Sequence, residues 1–251
     1  MNKKTLLNKI ALGTAQFGSH YGIANQTGQI QKDQAQEILD YAHDHGVEMI
    51  DTAYHYGESE EMLGSLLKKN KNFKIVSKLP SRGYFRKQNP FKKFDHFTDQ
   101  NFPSKSFMRE VFFHSLERLK IDRLYGYLMS YYSDTIPKQD LVRQQDTEGF
   151  FKLPYSAEDT WSVLEDLKQE GFIEKIGFSL YQPEQLDDLF LKKVPFDIIQ
   201  LPYSIFDHRF EKYFSLLREM NVEICVRSVF FAGRCFFKPG ESSQLFEKIG
   251  R

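Results

Sequence analysis

Asp51-Thr52-Ala53-Tyr54-His55-Tyr56-Gly57 follows a strand-like run that starts at Val47, and a second run, Phe73-Lys74-Ile75-Val76-Ser77-Lys78, ends on a lysine. Two parallel neighbouring strands place their C-terminal ends on one rim, so Asp51, Tyr56 and Lys78 converge if these runs are such strands. An acid, a phenol and an amine in one pocket make a proton-transfer site. On this reading the lysine charge lowers the tyrosine pKa from its ordinary value of about 10. The acid keeps the lysine charged and aimed.

Working outward, strand and helix patterns alternate. Residues 10–14 read as a short buried strand entering a loop with Gly18, Gly22 and Gly28. Ala35, Ile38, Leu39 and Ala42 have helical spacing over 33–45, and Gly46 is a natural stop. Strand 47–51 follows, then a helix from Gly57 through Leu67 with an acidic first turn, then the strand ending at Lys78. A helix carries Met108, Val111, Phe112, Leu116 and Leu119, and a fourth strand spans about 124–129. Ser156-Ala157-Glu158-Asp159 resembles a capping box and opens a helix through Trp161, Leu164 and Leu167. Further strands are expected at 174–179, 196–200 and 222–227, with helices from Pro183 and around 210–217 between them. Stretches 80–105 and 131–155 read as loop insertions in a single domain spanning 1–251.

Seven strands alternating with helices fit an open doubly wound sheet or a (β/α)8 barrel of the TIM type. No Gly-x-Gly-x-x-Gly follows the first strand, which weighs against a Rossmann sheet. Asp51, Lys78, Ser179, Gln200 and Arg227 all stand at strand C-terminal ends, where a barrel carries its active site.

The chain has 251 residues, 41% of them hydrophobic, enough for one barrel with a sizeable core. Its 34 basic and 34 acidic residues balance, which argues against bulk attraction to nucleic acid or membrane. Two cysteines, Cys225 and Cys235, give neither a disulfide framework nor a Cys-x-x-Cys pair, consistent with a reduced, cytoplasmic setting. No run approaches a membrane-spanning length and no signal peptide precedes the first strand. Cys225 reads as a buried small hydrophobe, His55 as a rim or packing residue and His114 as structural, and no metal-ligand spacing is present.

Several motifs in this order resemble the aldo-keto reductase superfamily. They are Leu12-Gly13-Thr14-Ala15-Gln16-Phe17-Gly18, Asp51-Thr52-Ala53 to Tyr56-Gly57 with Glu60, and Lys78. Ile176-Gly177-Phe178-Ser179, Gln200-Leu201-Pro202-Tyr203 and Val226-Arg227-Ser228-Val229-Phe230 continue the series, the last being similar to a branch found in bacterial surface-sugar gene clusters. The resemblance covers about residues 9–235. It implies a (β/α)8 barrel that binds NADPH or NADH without a Rossmann motif and reduces an aldehyde or ketone, sugar-derived substrates included. It implies Tyr56 as general acid, Lys78 as its activator and Asp51 as the residue orienting Lys78. Ser179 and Gln200 would hold the nicotinamide carboxamide, Arg227 would stack on the ring, Ser228 and Phe230 would line the pyrophosphate path, and Gly13 and Thr14 would lie under the cofactor.

Three departures shape the expectation. Ser130 falls where the family carries a catalytic histidine; a hydroxyl still donates one hydrogen bond to a carbonyl oxygen. Leu180 stands where many members have a carboxamide-binding asparagine. An eighth strand and helix would need about 30 more residues, so the eighth unit is expected to be missing or incomplete. The alternative reading is an inactive relative that serves as a nucleotide-binding or partner-binding module. Oligomeric state is not legible.

Overall fold

The computed structural model describes residues 8–22, 24–67, 73–80, 104–130 and 157–230. Within them seven strands form one parallel sheet in chain order: β1 (Ala11–Gly13), β2 (Met49–Asp51), β3 (Lys74–Lys78), β4 (Leu124–Ser130), β5 (Ile173–Ser179), β6 (Ile198–Pro202) and β7 (Glu223–Arg227). Between them run α1 (Ala15–Gly18), α2 (Lys32–Asp44), α3 (Ser59–Leu66), α4 (Lys105–Leu119), α5 (Ala157–Gln169), α6 (Pro183–Leu191) and α7 (Phe214–Glu219). Sequential parallel neighbours joined by helices are the β/α barrel arrangement rather than the doubly wound one, which reverses strand order at a switch point.

The sheet is curled, and one bond measures how far. Gln200 Nε2 on β6 donates to Asp51 Oδ1 on β2 at 2.7 Å. In a flat sheet those strands lie four spacings apart, roughly 19 Å, beyond the reach of both side chains. Curvature also separates two apolar compartments. Val76, Leu128 and Ile198, with Met49, Tyr125 and Cys225, form a small cluster in the lumen. The larger cluster, including Phe17, Leu39, Phe112, Tyr127, Leu164, Phe178 and Leu201, lies between the outer sheet face and the helices. Alternation along each strand sends neighbours to opposite sides, as Leu128 and Tyr127 show.

Local chemistry explains where elements begin. Ser104 Oγ accepts from Phe107 N at 3.2 Å and caps α4. Gln31 and Gln182 form reciprocal capping boxes at α2 and α6, the latter with Pro183 in the first turn. β2 starts two residues later than expected because Val47 N still donates to Ala42 O and closes the preceding helix. β6 starts and ends two residues late. The Asp197 carboxylate is occupied on the approach, accepting from Ile176 N and Lys168 Nζ at 2.9 and 2.6 Å. The first expected loop contains a helical turn, α1. The expected insertions 80–105 and 131–155, the Ser156 cap, Cys235 and any eighth unit lie largely or wholly outside the described residues.

Candidate active site

The C-terminal strand ends bring the predicted residues to one rim. Cα pairing aligns Gly13 with Asp51, Lys78 with Leu128, Ser130 with Ser179, and Ser179 with Gln200. Arg227 pairs with Pro202 one step further around. The Ser130 side chain lies outside the described part, so only its place at the end of β4 is fixed.

Asp51 and Lys78 form the centre. Lys78 Nζ donates to Asp51 Oδ1 at 2.7 Å and to Thr52 O at 2.8 Å. The lysine side chain is 5% exposed and the aspartate 18%. A charged lysine is sustained at such depth only by a partner, and this carboxylate supplies one. The Tyr56 ring lies beside the pair, with Lys78 Nζ 5.0 Å from its centroid. Among the described residues the Tyr56 hydroxyl has no hydrogen-bond partner, which leaves it available to an incoming oxygen.

In the resting site the Tyr56 phenol does not titrate low. The phenol is pushed up from its ordinary value, first by burial, then by the Asp51 carboxylate, with Tyr181 and Tyr21 adding; Arg227 is the cation that opposes the shift. The physical reason is burial first: a phenol out of water resists ionisation, and the neighbouring Asp51 carboxylate adds to that cost. The lysine charge is felt instead at His55, whose pKa falls to about 3 through burial and then Lys78. His55 is therefore a neutral ring, packed edge-on against Tyr56 with centroids 5.0 Å apart.

Across the lumen, Ser179 Oγ donates to Gln200 Oε1 at 3.1 Å, and Gln200 passes its own donor to Asp51. The two residues expected at a carboxamide thus touch each other and the acid. An amide has two N–H donors and two acceptor lone pairs, so Gln200 retains capacity for a further amide. Arg227 sits over Tyr181, its Cζ 4.1 Å from the ring centroid, and donates from Nη2 to Leu180 O at 2.7 Å. Its Nε is buried without a hydrogen-bond partner among the described residues. Among the described residues, a Cβ placed on Gly13 at the end of β1 would meet nothing within 4 Å. A planar, amide-bearing ring with hydrogen-bonding substituents suits these features: stacking surface, spare amide capacity, an unmatched buried donor and open space.

Thr14 has a structural bond. It is fully buried and its hydroxyl donates to Asp51 O at 3.0 Å, while Ser59 Oγ donates to Thr14 O at 2.9 Å. Ser228 has φ of 60° and its Oγ is 3.5 Å from Arg227 Nη1; Phe230 is 59% exposed. Both lie just past β7, beside the arginine. Among the described residues no three His, Cys, Asp or Glu side chains converge as a metal site, and no helix is long and apolar enough to cross a membrane.

Sequence reasoning missed what holds the tyrosine loop. Arg118 on α4 is 8% exposed; it donates to Tyr54 O at 3.2 Å, to Gly57 O, and to Glu61 Oε2 at 2.9 Å. Its other neighbour is Glu60 Oε2 at 3.4 Å. A signal was present: Arg118 falls seven residues after Val111 and three after Ser115, on the buried stripe of an amphipathic helix, where a lone cation implies a partner. His114 donates to or accepts from Tyr54 Oη at 2.7 Å, a packing role in keeping with its expected structural character.

An ion-paired lysine beside a tyrosine stands at the strand ends of a parallel β/α sheet, where barrel proteins carry their sites. The family model described as "Aldo/keto reductase family" matches residues 9–248, and the chain belongs to that family. The uncharacterized oxidoreductase YqkF of Bacillus subtilis is 27% identical over 97% of this chain and 72% of its own length. Solved structures share the fold. Aldo-keto reductase AKR11C1 of Bacillus halodurans, in its holo form, superposes with a TM-score of 0.66 at 23% identity, covering 95% of this chain and 70% of that one. Bombyx mori aldo-keto reductase AKR2E4, in complex with NADP, gives 0.61 at 18% identity, covering 96% and 72%.

Proposed function

We propose that this protein reduces an aldehyde or ketone to an alcohol with a reduced nicotinamide cofactor, NADPH or NADH, with Tyr56 as general acid. The observation that carries the reading is the Asp51–Lys78 ion pair at 2.7 Å with the Tyr56 ring beside it, its hydroxyl without a hydrogen-bond partner among the described residues. Family membership supports the reaction class, and the silkworm relative crystallised with NADP supports the cofactor. The whole chain acts as one domain, and a small sugar-derived carbonyl is the substrate class we favour.

Ser179 and Gln200 would hold the carboxamide, Arg227 with Tyr181 the ring face, Ser228 and Phe230 the adjoining path, and Gly13 the open side. When bound, the cofactor supplies a hydride to the carbonyl carbon. Tyr56 gives its proton to the carbonyl oxygen as negative charge develops there. Lys78 then stabilises the phenolate, and Asp51 holds the ammonium in place for that moment. An upward-shifted phenol stays protonated until the reaction makes it an acid, so the resting site is loaded for donation. Ser130, at the end of β4, would supply a second hydrogen bond to the carbonyl oxygen.

Ser130, standing where the family carries a histidine, favours a second reading, a nucleotide-binding module without turnover. The test is NADPH oxidation followed at 340 nm with a panel of aldehydes, ketones and aldoses. Turnover that falls by about a hundredfold or more in Tyr56→Phe supports the enzyme reading. Saturable NADPH binding with no turnover on any carbonyl would replace it with the second.

A further inference from the structure

We infer that Arg118 is a positioning residue for the reaction: its guanidinium locks the 54–57 loop, and with it Tyr56, against the strand that carries Lys78. This rests on the reading of Tyr56 as proton donor. The two groups that must meet in the reaction come from different elements, Tyr56 from a loop between β2 and α3 and Lys78 from the end of β3. Something has to fix one relative to the other, because near-attack geometry fails with displacements of about 1 Å.

Arg118 does this from a third element, α4. It takes the loop on both sides of Tyr56, through the carbonyls of Tyr54 and Gly57. Its plane lies over the Tyr54 ring at 4.8 Å, and the Tyr54 hydroxyl is held in turn by His114 on the same helix. The link to Lys78 runs through Glu60. That carboxylate is fully buried; Oε2 faces Arg118 and Oε1 accepts from Ser77 Oγ at 2.6 Å, one residue before Lys78. Tyr54 N also donates to Lys78 O at 3.3 Å. The opposite side of the loop is closed by backbone: Gly57 has φ of +59°, and a Cβ there would stand 2.1 Å from Gly18 O. The loop is therefore pinched between Gly18 and the guanidinium. Only a planar fork with several fixed donors spans two carbonyls and two carboxylates at once; a lysine offers a point charge.

The test compares Arg118→Lys and Arg118→Met with Arg109→Lys. Arg109 sits on the same helix and ties it to Glu170 through two bonds of 2.9 and 2.6 Å, so its substitution is a structural control. With NADPH and 4-nitrobenzaldehyde, Arg118→Lys lowers kcat by about tenfold or more. Its NADPH Kd, read from Trp161 quenching, stays unchanged, and Arg109→Lys leaves kcat alone. In a Tyr56→Phe background Arg118→Lys costs nothing further. An equal loss in both backgrounds, or no loss in the parent, overturns the proposal. If Tyr56→Phe keeps full activity, the proton-donor reading fails instead. A second readout needs no turnover. In protein labelled with 3-fluorotyrosine, the Tyr56 fluorine line is identified by its loss in Tyr56→Phe. It shifts or splits in Arg118→Lys and in Arg118→Met while remaining in place in Arg109→Lys. An unmoved Tyr56 line in both Arg118 variants overturns the proposal.

Discussion

At Tyr56 the phenol proposed as proton donor is kept neutral by burial and by its own neighbouring acid. The linkage to stability has a definite sign. The folded pKa lies above the unfolded value of about 10, so the phenol's contribution is intact below that pH and is lost as pH rises toward the folded value. Thermal melts of the parent should therefore fall more steeply than those of Tyr56→Phe between about pH 9.5 and 11. Equal slopes would mean the phenol titrates normally. At this scale the sequence was informative for groups that stand at strand ends, because Asp51 and Lys78 break apolar runs at the position where a barrel has its mouth. It was silent on burial: that desolvation pushes the Tyr56 phenol up, with the Asp51 carboxylate adding to it, depends on packing that no spacing encodes.

Among the elements, α4 has the most to hold. It packs Val111, Phe112 and Leu119 in the core while its Arg118 and His114 brace the 54–57 loop. Its start depends on one hydroxyl, Ser104 Oγ accepting from Phe107 N. Ser104→Ala should cost about 1 kcal/mol in denaturant unfolding, with the slope against denaturant unchanged. Ser104→Asp should restore most of it, since a carboxylate accepts the same N–H and favours the helix N-terminus. A cost within error for Ser104→Ala would show the cap to be idle. Element types were legible in the described chain, apart from the short α1 turn, because apolar spacing switches cleanly between helix and strand periods. Boundaries moved where a backbone or side-chain bond outranked hydrophobicity. Val47 closes a helix and Asp197 accepts an N–H, although both sit inside apolar runs.

For the molecule as a whole, curvature decides whether the strand ends form one site, and no periodicity along the chain measures it. Seven alternating units fit a barrel or an open sheet alike; the Gln200–Asp51 bond across the lumen separates them. That bond also joins the proposed cofactor grip to the proposed acid pair, which makes ligand binding and stability a single measurement. A ligand at 100 times its Kd adds about 2.7 kcal/mol to the folded state. At 2–4 °C per kcal/mol for a chain of this size, NADPH or NADH should raise Tm by about 5–10 °C. Tyr56→Phe should keep that rise, because the proposed role of the hydroxyl is proton donation and not a grip on the cofactor. Gln200→Leu should lower Tm without ligand, since a buried hydrogen bond to a carboxylate contributes roughly 1.5–3 kcal/mol, and should shrink the ligand-induced rise as well. If Gln200→Leu lowers the starting Tm and leaves the rise intact, Gln200 closes the barrel without gripping the cofactor. The carboxamide contact then belongs to Ser179 or to Arg227.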